Sequence, residues 1–314
     1  MKYVCKKFIT MLVTLLLVSF FVFLSFAVIP GDPATAKLGT NATPEEVEAL
    51  REEMGLNRPL MERYGEWVIG AFHGDFGQSY NYNQSVKSLI ADKLPITLTL
   101  SFMAFILMIV ISIPLGIYTA KHEGGWIDRI IVAVNQLIMA IPPFFSGIII
   151  TLIFGLLLKI FVPGGFVSFD KSFWGSIYYL LFPAIGIALP KSAMAVKLLR
   201  SSLLTEAGKD YVRTAYSRGN STNMVLYGHV LKNAFVSVIT FLAMTLTDMI
   251  AGCVIMEQVF SVPGIGRILI SSISGRDYPV VEMIIVLLAF IVVLVNILSD
   301  IACRLLDPRI KEES

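Results

Sequence analysis

Residues 96–120 read ITLTLSFMAFILMIVISIPLGIYTA, and that run decides the fold. A bilayer core of about 30 Å takes roughly 20 apolar residues as a helix. Backbone groups in lipid find no water, so such a run must bond to itself as a helix. Five further apolar runs obey the same rule: Phe8 to Ile29, Ile130 to Phe161, Ile177 to Val196, Ala234 to Met256 and Val280 to Cys303. The run from Ile130 is too long for one straight crossing and holds Pro142-Pro143, which predicts a bend or break there. The expected fold is all-α, a polytopic membrane protein with six transmembrane helices. Composition agrees: of 314 residues 56% are hydrophobic and 15% charged, against roughly 25% charged in soluble domains.

The first run follows Lys2, Lys6 and Lys7, as a signal peptide would. It exceeds the usual apolar core of about 7–15 residues in such peptides, so it reads as a retained span. Cys5, Cys253 and Cys303 lie far apart, and His73, His122 and His229 are scattered, with no metal-ligand spacing. The net charge of +2 gives no argument for a nucleic-acid partner. No phosphate-cradling GxxxxGK[ST] loop is present: Gly208-Lys209 runs into Asp210 and lacks the upstream glycine. ATP handling therefore falls to other chains if transport is ATP-driven.

Orientation follows the excess of Lys and Arg in loops on the inner side. With the N-terminus inside, Lys121 and Arg129 are inside, as are Lys197, Arg200, Lys209, Arg213, Arg218 and Lys232, and the tail with Arg304, Arg309 and Lys311. Both termini are then cytoplasmic. The chain divides into an N-terminal end and first span at 1–29, an external amphipathic helical segment at 30–95, and a five-span core at 96–314. Within the external segment, Thr43-Pro44-Glu45-Glu46 forms a capping box, with a helix running to Gly55 and a second from Pro59 to Phe72.

The longest inner loop, 197–233, contains Asp210–His229, DYVRTAYSRGNSTNMVLYGH. Val212, Ala215, Tyr216 and Gly219 share one helical face, with Lys209, Arg213 and Thr214 off it. Gly219 suits a helix end and Asn220-Ser221 the cap of the next helix. Two short helices at an angle are expected. On charge alone such a loop is equally an inside anchor, an anionic-lipid contact or an amphipathic linker.

The ordered motifs distinguish these readings. Pro30-Gly31-Asp32-Pro33-Ala34, Gly74-Asp75-Phe76-Gly77, Leu94-Pro95-Ile96-Thr97-Leu98 and Pro114-Leu115-Gly116 precede the loop. Tyr211-Val212-Arg213-Thr214-Ala215, Gly219, His229 and Asn233-Ala234 lie in it. Pro263-Gly264-Ile265-Gly266-Arg267, Arg276-Asp277-Tyr278-Pro279 and Asp307-Pro308-Arg309 follow. Together they resemble the permease subunit of a peptide-type ABC importer, the dipeptide/oligopeptide/nickel permease family, over nearly the whole chain.

The resemblance implies the type I ABC importer permease fold and a bacterial or archaeal cell membrane. It implies that this chain forms half of the path for di- or oligopeptides by alternating access. A second homologous permease, two ATP-binding cassette ATPases and an extracellular or periplasmic binding protein would complete the complex in membrane lipid. ATP and Mg2+ would sit on the ATPases, with no cofactor on this chain. The resemblance assigns ATPase coupling to Asp210, Tyr211, Val212, Arg213, Thr214, Ala215, Gly219, His229 and Asn233. Two departures stand out: Arg213-Thr214-Ala215 replaces the general Glu-Ala-Ala, and Ser237 stands where proline is usual. Nickel or metallophore-like solutes, or a stand-alone secondary transporter, are the alternatives; the last would favour several intramembrane charges or inverted repeats.

An ionisable residue inside a span is costly and suggests function. Asp248, near the middle of the fifth run, is expected on the translocation path or paired with a neighbouring span. Glu257, just past that run, is the candidate external gate. Lys191 and Lys197 are expected to snorkel to the interface, and Asp300 to pair with Arg304.

Overall fold

The structure is a computed structural model and describes residues 2–28, 31–39 and 41–306. Expectations resting on Pro30, Asp307-Pro308-Arg309 and Lys311, or on the side chains of Lys2, Cys5, Lys6, Ser237, Cys303 and Arg304, lie outside the described residues.

The described elements are helical. They run α1 (Lys2–Val28), α2 (Pro33–Leu38), α3 (Pro44–Glu53), α4 (Leu60–Phe72), α5 (Val86–Ala91), α6 (Leu94–Lys121), α7 (Trp126–Ala140) and α8 (Pro143–Ile150). A π turn (Thr151–Leu157) extends α8. Then come α9 (Phe173–Ala207), α10 (Asp210–Ser217), α11 (Thr222–Val225), a second π turn (Leu226–Val230), α12 (Leu231–Val259), α13 (Ile265–Ser274) and α14 (Tyr278–Leu306).

Five of the described helices are long and apolar enough to cross a membrane. The pair α7 and α8 makes a sixth if counted as one span, and it bends by 104°. The break falls at Ile141-Pro142, where extended backbone separates the two pieces. Proline cannot donate to the preceding turn, and the residue before it avoids helical angles, so the helix stops there.

The chain forms two compact units. One comprises 1–97 with 263–294, the other 98–262 with 295–314. These cut across the linear division drawn from sequence.

In the second unit α9 is the axis, packed by α7, α8 and α12. Its buried residues include Leu180, Ala184, Ile187 and Val196. Burial continues through Leu199 and Leu203, so the helix runs on to Ala207, past the expected end at Val196. Spacing of i, i+3 and i+7 from Val196 keeps these on one face despite Lys197 and Arg200. Pro190 removes the donor for the Gly186 carbonyl four residues back. Ser146 on α8 replaces it, its hydroxyl donating to Gly186 O at 2.8 Å. Gly186 must be small there, because an added Cβ would lie 2.2 Å from Met256 Cε.

In the first unit Val86, Leu89, Ile90, Ile265, Val280 and Ile284 form the core. Thr43 and Glu46 close the capping box at the start of α3 as the sequence predicts, an arrangement worth about 1 kcal/mol. Helix α4 is more than an outer cap. The Tyr64 hydroxyl lies 3.0 Å from Ser19 Oγ and donates to Leu16 O at 3.2 Å, so α4 lies against the middle of α1. Three distant motifs meet in this unit. Asp277 accepts from the Ser79 hydroxyl, from Tyr80 N at 3.0 Å and from Asn81 N at 3.2 Å. Gly31, with φ of +125°, leaves room for the Arg276 guanidinium, which a Cβ would overlap. Thr97 Oγ1 accepts from Ile265 N at 3.0 Å and satisfies a free donor at the start of α13.

Candidate functional site

The polar segment folds as a short helix, a glycine corner and a second helix. Val212 and Ala215 are buried on α10. Tyr211 is half-buried, and its hydroxyl accepts from Asn233 Nδ2 at 3.2 Å. Tyr216 departs from the expected inner face and is exposed. At about 100° per residue the inner arc centres on Tyr211, Ala215 and Val212, which leaves Tyr216 at its edge.

Asp210, Arg213 and Thr214 face outward, and the Asp210–Arg213 pair at 3.9 Å is a solvated surface contact. Gly219 follows the helix end with φ of +82°, a left-handed conformation that favours glycine. An added Cβ there would meet nothing within 4 Å. The two capping residues divide their work. Asn220 turns back and donates to Ala215 O at 3.1 Å, closing α10, while Ser221 caps α11.

His229 lies in the π turn that joins α11 to α12 and is exposed. Its carbonyl accepts from Asn233 Nδ2 at 3.2 Å. Asn233 thus ties α10 to the base of α12. Lys121, at the end of α6, donates to Asn223 Oδ1 at 3.0 Å. The corner is braced on its inner side, and Tyr216, Met224 and Tyr227 stand exposed on it. Met224 and Tyr227 were missed from sequence because only the buried face has a periodic signature.

A second brace lies close in sequence. Arg200 on α9 grips Asp128 on α7 through Nε and Nη2 at 3.0 and 2.9 Å. Asp128 is 3% exposed and also accepts from Gly124 N at 3.0 Å.

Within the membrane-spanning part, Asp248 pairs with Lys191 on α9 at 2.9 Å. The pairing half of the expectation for Asp248 is therefore met, and Lys191 does not snorkel away. Beside it Thr247 donates to Asn296 at 3.1 Å. The Asp248 side chain is 65% exposed in the isolated chain. A polar row of this kind does not face lipid hydrocarbon without cost, so it is suited to another protein surface or to water. The position expected for Glu257 is corrected: it lies within α12 and is fully buried. Helix α12 runs to Val259, so this residue sits in packing rather than in a loop beyond the span.

These features define a class: a multi-pass helical membrane protein that carries a braced helix pair outside its spans. The chain belongs to the family described as binding-protein-dependent transport system inner membrane component, matched over residues 112–312, with the family's N-terminal part matched over 1–101. It is the membrane permease of an ABC importer and not itself the ATPase. A protein of Brucella abortus (strain 2308) is 35% identical over 308 residues, covering 98% of either chain. The oligopeptide transport system permease protein AppB of Bacillus subtilis (strain 168) is 33% identical, covering 98% of this chain and 99% of its own. The dipeptide transport system permease protein DppB of Alkalihalophilus pseudofirmus is 31% identical, with 98% and 99% covered. Among solved structures, inward-facing MetNI methionine ABC transporter aligns with TM-score 0.56 at 18% identity, covering 70% of this chain and 96% of that one. That likeness concerns the fold alone.

Proposed function

We propose that this chain forms half of the translocation path for di- or oligopeptides in an ATP-driven importer. It pairs with a second homologous permease above two ATPase subunits that hold ATP and Mg2+, and a binding protein delivers solute from outside. The segment 197–233 faces the cytoplasm together with both termini, and Asp210–Gly219 docks on an ATPase. The observation that carries the coupling role is the corner at Gly219. Its inner side is fixed to α12 through Asn233 and Tyr211, so a push on the exposed side moves the base of a span. The chain breaks no bonds. Its spans have two packings, and the ATPases and the loaded binding protein bias the choice between them. The names of the relatives support peptide as the solute.

The test is purification of the complex in mild detergent, with uptake and ATP hydrolysis measured after reconstitution. Co-purification of ATPase chains, a second permease and a binding protein carrying peptide is the expected result. In Gly219→Trp, hydrolysis without uptake supports the coupling role. Unchanged uptake in that variant overturns it.

A further inference from the structure

The first compact unit contains two adjoining cavities that share Trp67. One, of about 390 Å3, is apolar and lined by Leu12, Leu16, Ala71, Phe76, Leu287 and Phe290 among others. The other, of about 200 Å3, is polar and includes Arg63, Glu66, Tyr80, Tyr278 and Glu282. The larger lies in the range of roughly 300–1,000 Å3 in which pockets take small molecules.

One buried donor at these cavities has no hydrogen-bond partner among the described residues, and one buried carboxyl faces a single cation through space. Trp67 Nε1, at the junction, is buried without a hydrogen bond. Glu282 is 6% exposed, and the cation that acts on its carboxyl is Arg63, which lines the same pocket. Buried polar atoms are nearly always satisfied, and a buried charge needs hydrogen bonds as well as a counter-charge. Arg58 in the same pocket is already taken by Glu62 and Glu66, while Arg63 stands over the Phe23 ring at 5.6 Å. Burial pushes the Tyr80 phenol up to about 12, so it stays a neutral hydroxyl at ordinary pH.

The order of the two cavities along the helices is informative. On α14 the polar pocket takes Tyr278 to Glu282, and the apolar groove takes Met283 to Phe290. On α1 the polar pocket takes Phe23 and the groove Leu12 to Ser19. From Phe23 to Leu12 is about 16 Å of helix at 1.5 Å per residue. That matches one leaflet of a hydrocarbon core about 30 Å thick. Helix α14 thus passes from polar to apolar in the order of headgroup to acyl chain, and α1 meets the two pockets in the same order.

We propose that this paired cavity is a binding site for one aminophospholipid. An acyl chain fills the groove, and the ammonium of the headgroup meets Glu282, with Glu66 nearby. The phosphate and ester oxygens take the Trp67 N–H and Arg63. With Arg58 and Glu66 neutralising each other, the pocket offers one acid, Glu282, and one further arginine, Arg63, and this balance matches a zwitterionic headgroup with a primary ammonium better than an anionic one. The test counts retained lipid, so it does not depend on which solute is carried.

The test uses the assembled importer in vesicles of phosphatidylethanolamine, phosphatidylcholine and phosphatidylglycerol in equal parts. The complex is extracted, and retained lipid per complex is counted by native mass spectrometry. Wild type is expected to retain phosphatidylethanolamine, Leu287→Trp to lose it by filling the groove, and Glu282→Gln to lose the preference over phosphatidylcholine. Glu282→Gln is nearly isosteric and decides the matter if the tryptophan variant fails to assemble. Equal retention of the three lipids by wild type, a preference for phosphatidylglycerol, or an unchanged preference in Glu282→Gln overturns the proposal. So does a photo-crosslinker at position 287 that captures a helix of the partner permease instead of lipid.

Discussion

Lys191 Nζ and Asp248 Oδ2 meet at 2.9 Å between two helices that both belong to the membrane-spanning core. The pair joins α9 one residue beyond Pro190, where the helix has already lost a backbone donor. A charge pair beside a proline is a contact that two helix packings can make and break. Asp248→Asn leaves Lys191 without its counter-charge. Uptake is expected to fall about tenfold, equivalent to roughly 1.4 kcal/mol of barrier, while membrane abundance stays near wild type because the pair is partly exposed. The double variant Asp248→Asn, Lys191→Met separates two roles. Uptake still low at unchanged abundance places the pair on the path; uptake restored by the double variant makes it a structural contact only.

Gly219 invites a graded series. Its left-handed angle costs a residue with a Cβ about 1–2 kcal/mol, and asparagine tolerates it better. No neighbour lies within 4 Å of an added Cβ, so in the isolated chain the cost is conformational, not steric. Gly219→Asn is expected to transport nearly normally, Gly219→Ala less well, and Gly219→Trp to hydrolyse ATP without uptake. The readout is solute moved per ATP hydrolysed. If alanine and tryptophan reduce that ratio equally, backbone strain explains the effect and the docking reading of this corner fails.

The spans were legible because a bilayer leaves a long apolar run only one local solution. Pro142-Pro143 gave the break in the same way, since a proline's missing donor acts within four residues. The two-helix corner was legible through Gly219 and Ser221, whose backbone preferences are local. What stayed hidden involves distance in sequence. Nothing near Asp248 names Lys191, 57 residues away, and nothing near Asp277 names Ser79 to Asn81. Glu257 was misplaced because a single charge ended the hydropathy run two residues before α12 ends at Val259. The continuation of α9 to Ala207 was hidden for the same reason, as Lys197 and Arg200 interrupt the run without interrupting the helix.

Arg200 and Asp128 test how strongly α7 is held to α9. Asp128 is buried and accepts two bonds from one guanidinium. Arg200→Ala removes both charge-assisted bonds and leaves Asp128 only the Gly124 N–H, a loss on the order of 1–3 kcal/mol. Membrane abundance and detergent stability are expected to fall sharply. Arg200→Lys should recover only part, because an ammonium cannot make the paired contact. Asp128→Asn should be the mildest change, since it removes the charge that needs a partner. Equal damage from all three variants would show that the geometry of this pair does not matter.

Asp277 ties the 79–81 segment to the start of α14 in the first compact unit. Its carboxylate is fully buried and holds the Ser79 hydroxyl and the backbone N–H groups of Tyr80 and Asn81. Asn81 returns the contact, donating from Nδ2 to Gly275 O at 3.0 Å. Asp277→Ala removes the acceptor for three donors at once, and each unsatisfied buried group costs about 1–3 kcal/mol. The 79–82 segment is then expected to open while the membrane spans persist. Limited proteolysis on intact complexes should show new cleavage near Tyr80 to Tyr82, with the spans still protected. Asp277→Asn keeps one oxygen but presents an amide N–H to other donors, so its cleavage rate should lie between alanine and wild type. Asp277→Glu carries the same charge on a longer stem that does not fit the closed turn, and should not rescue. If glutamate restores protection fully, charge alone holds the segment, and the three-donor geometry is not what fixes it.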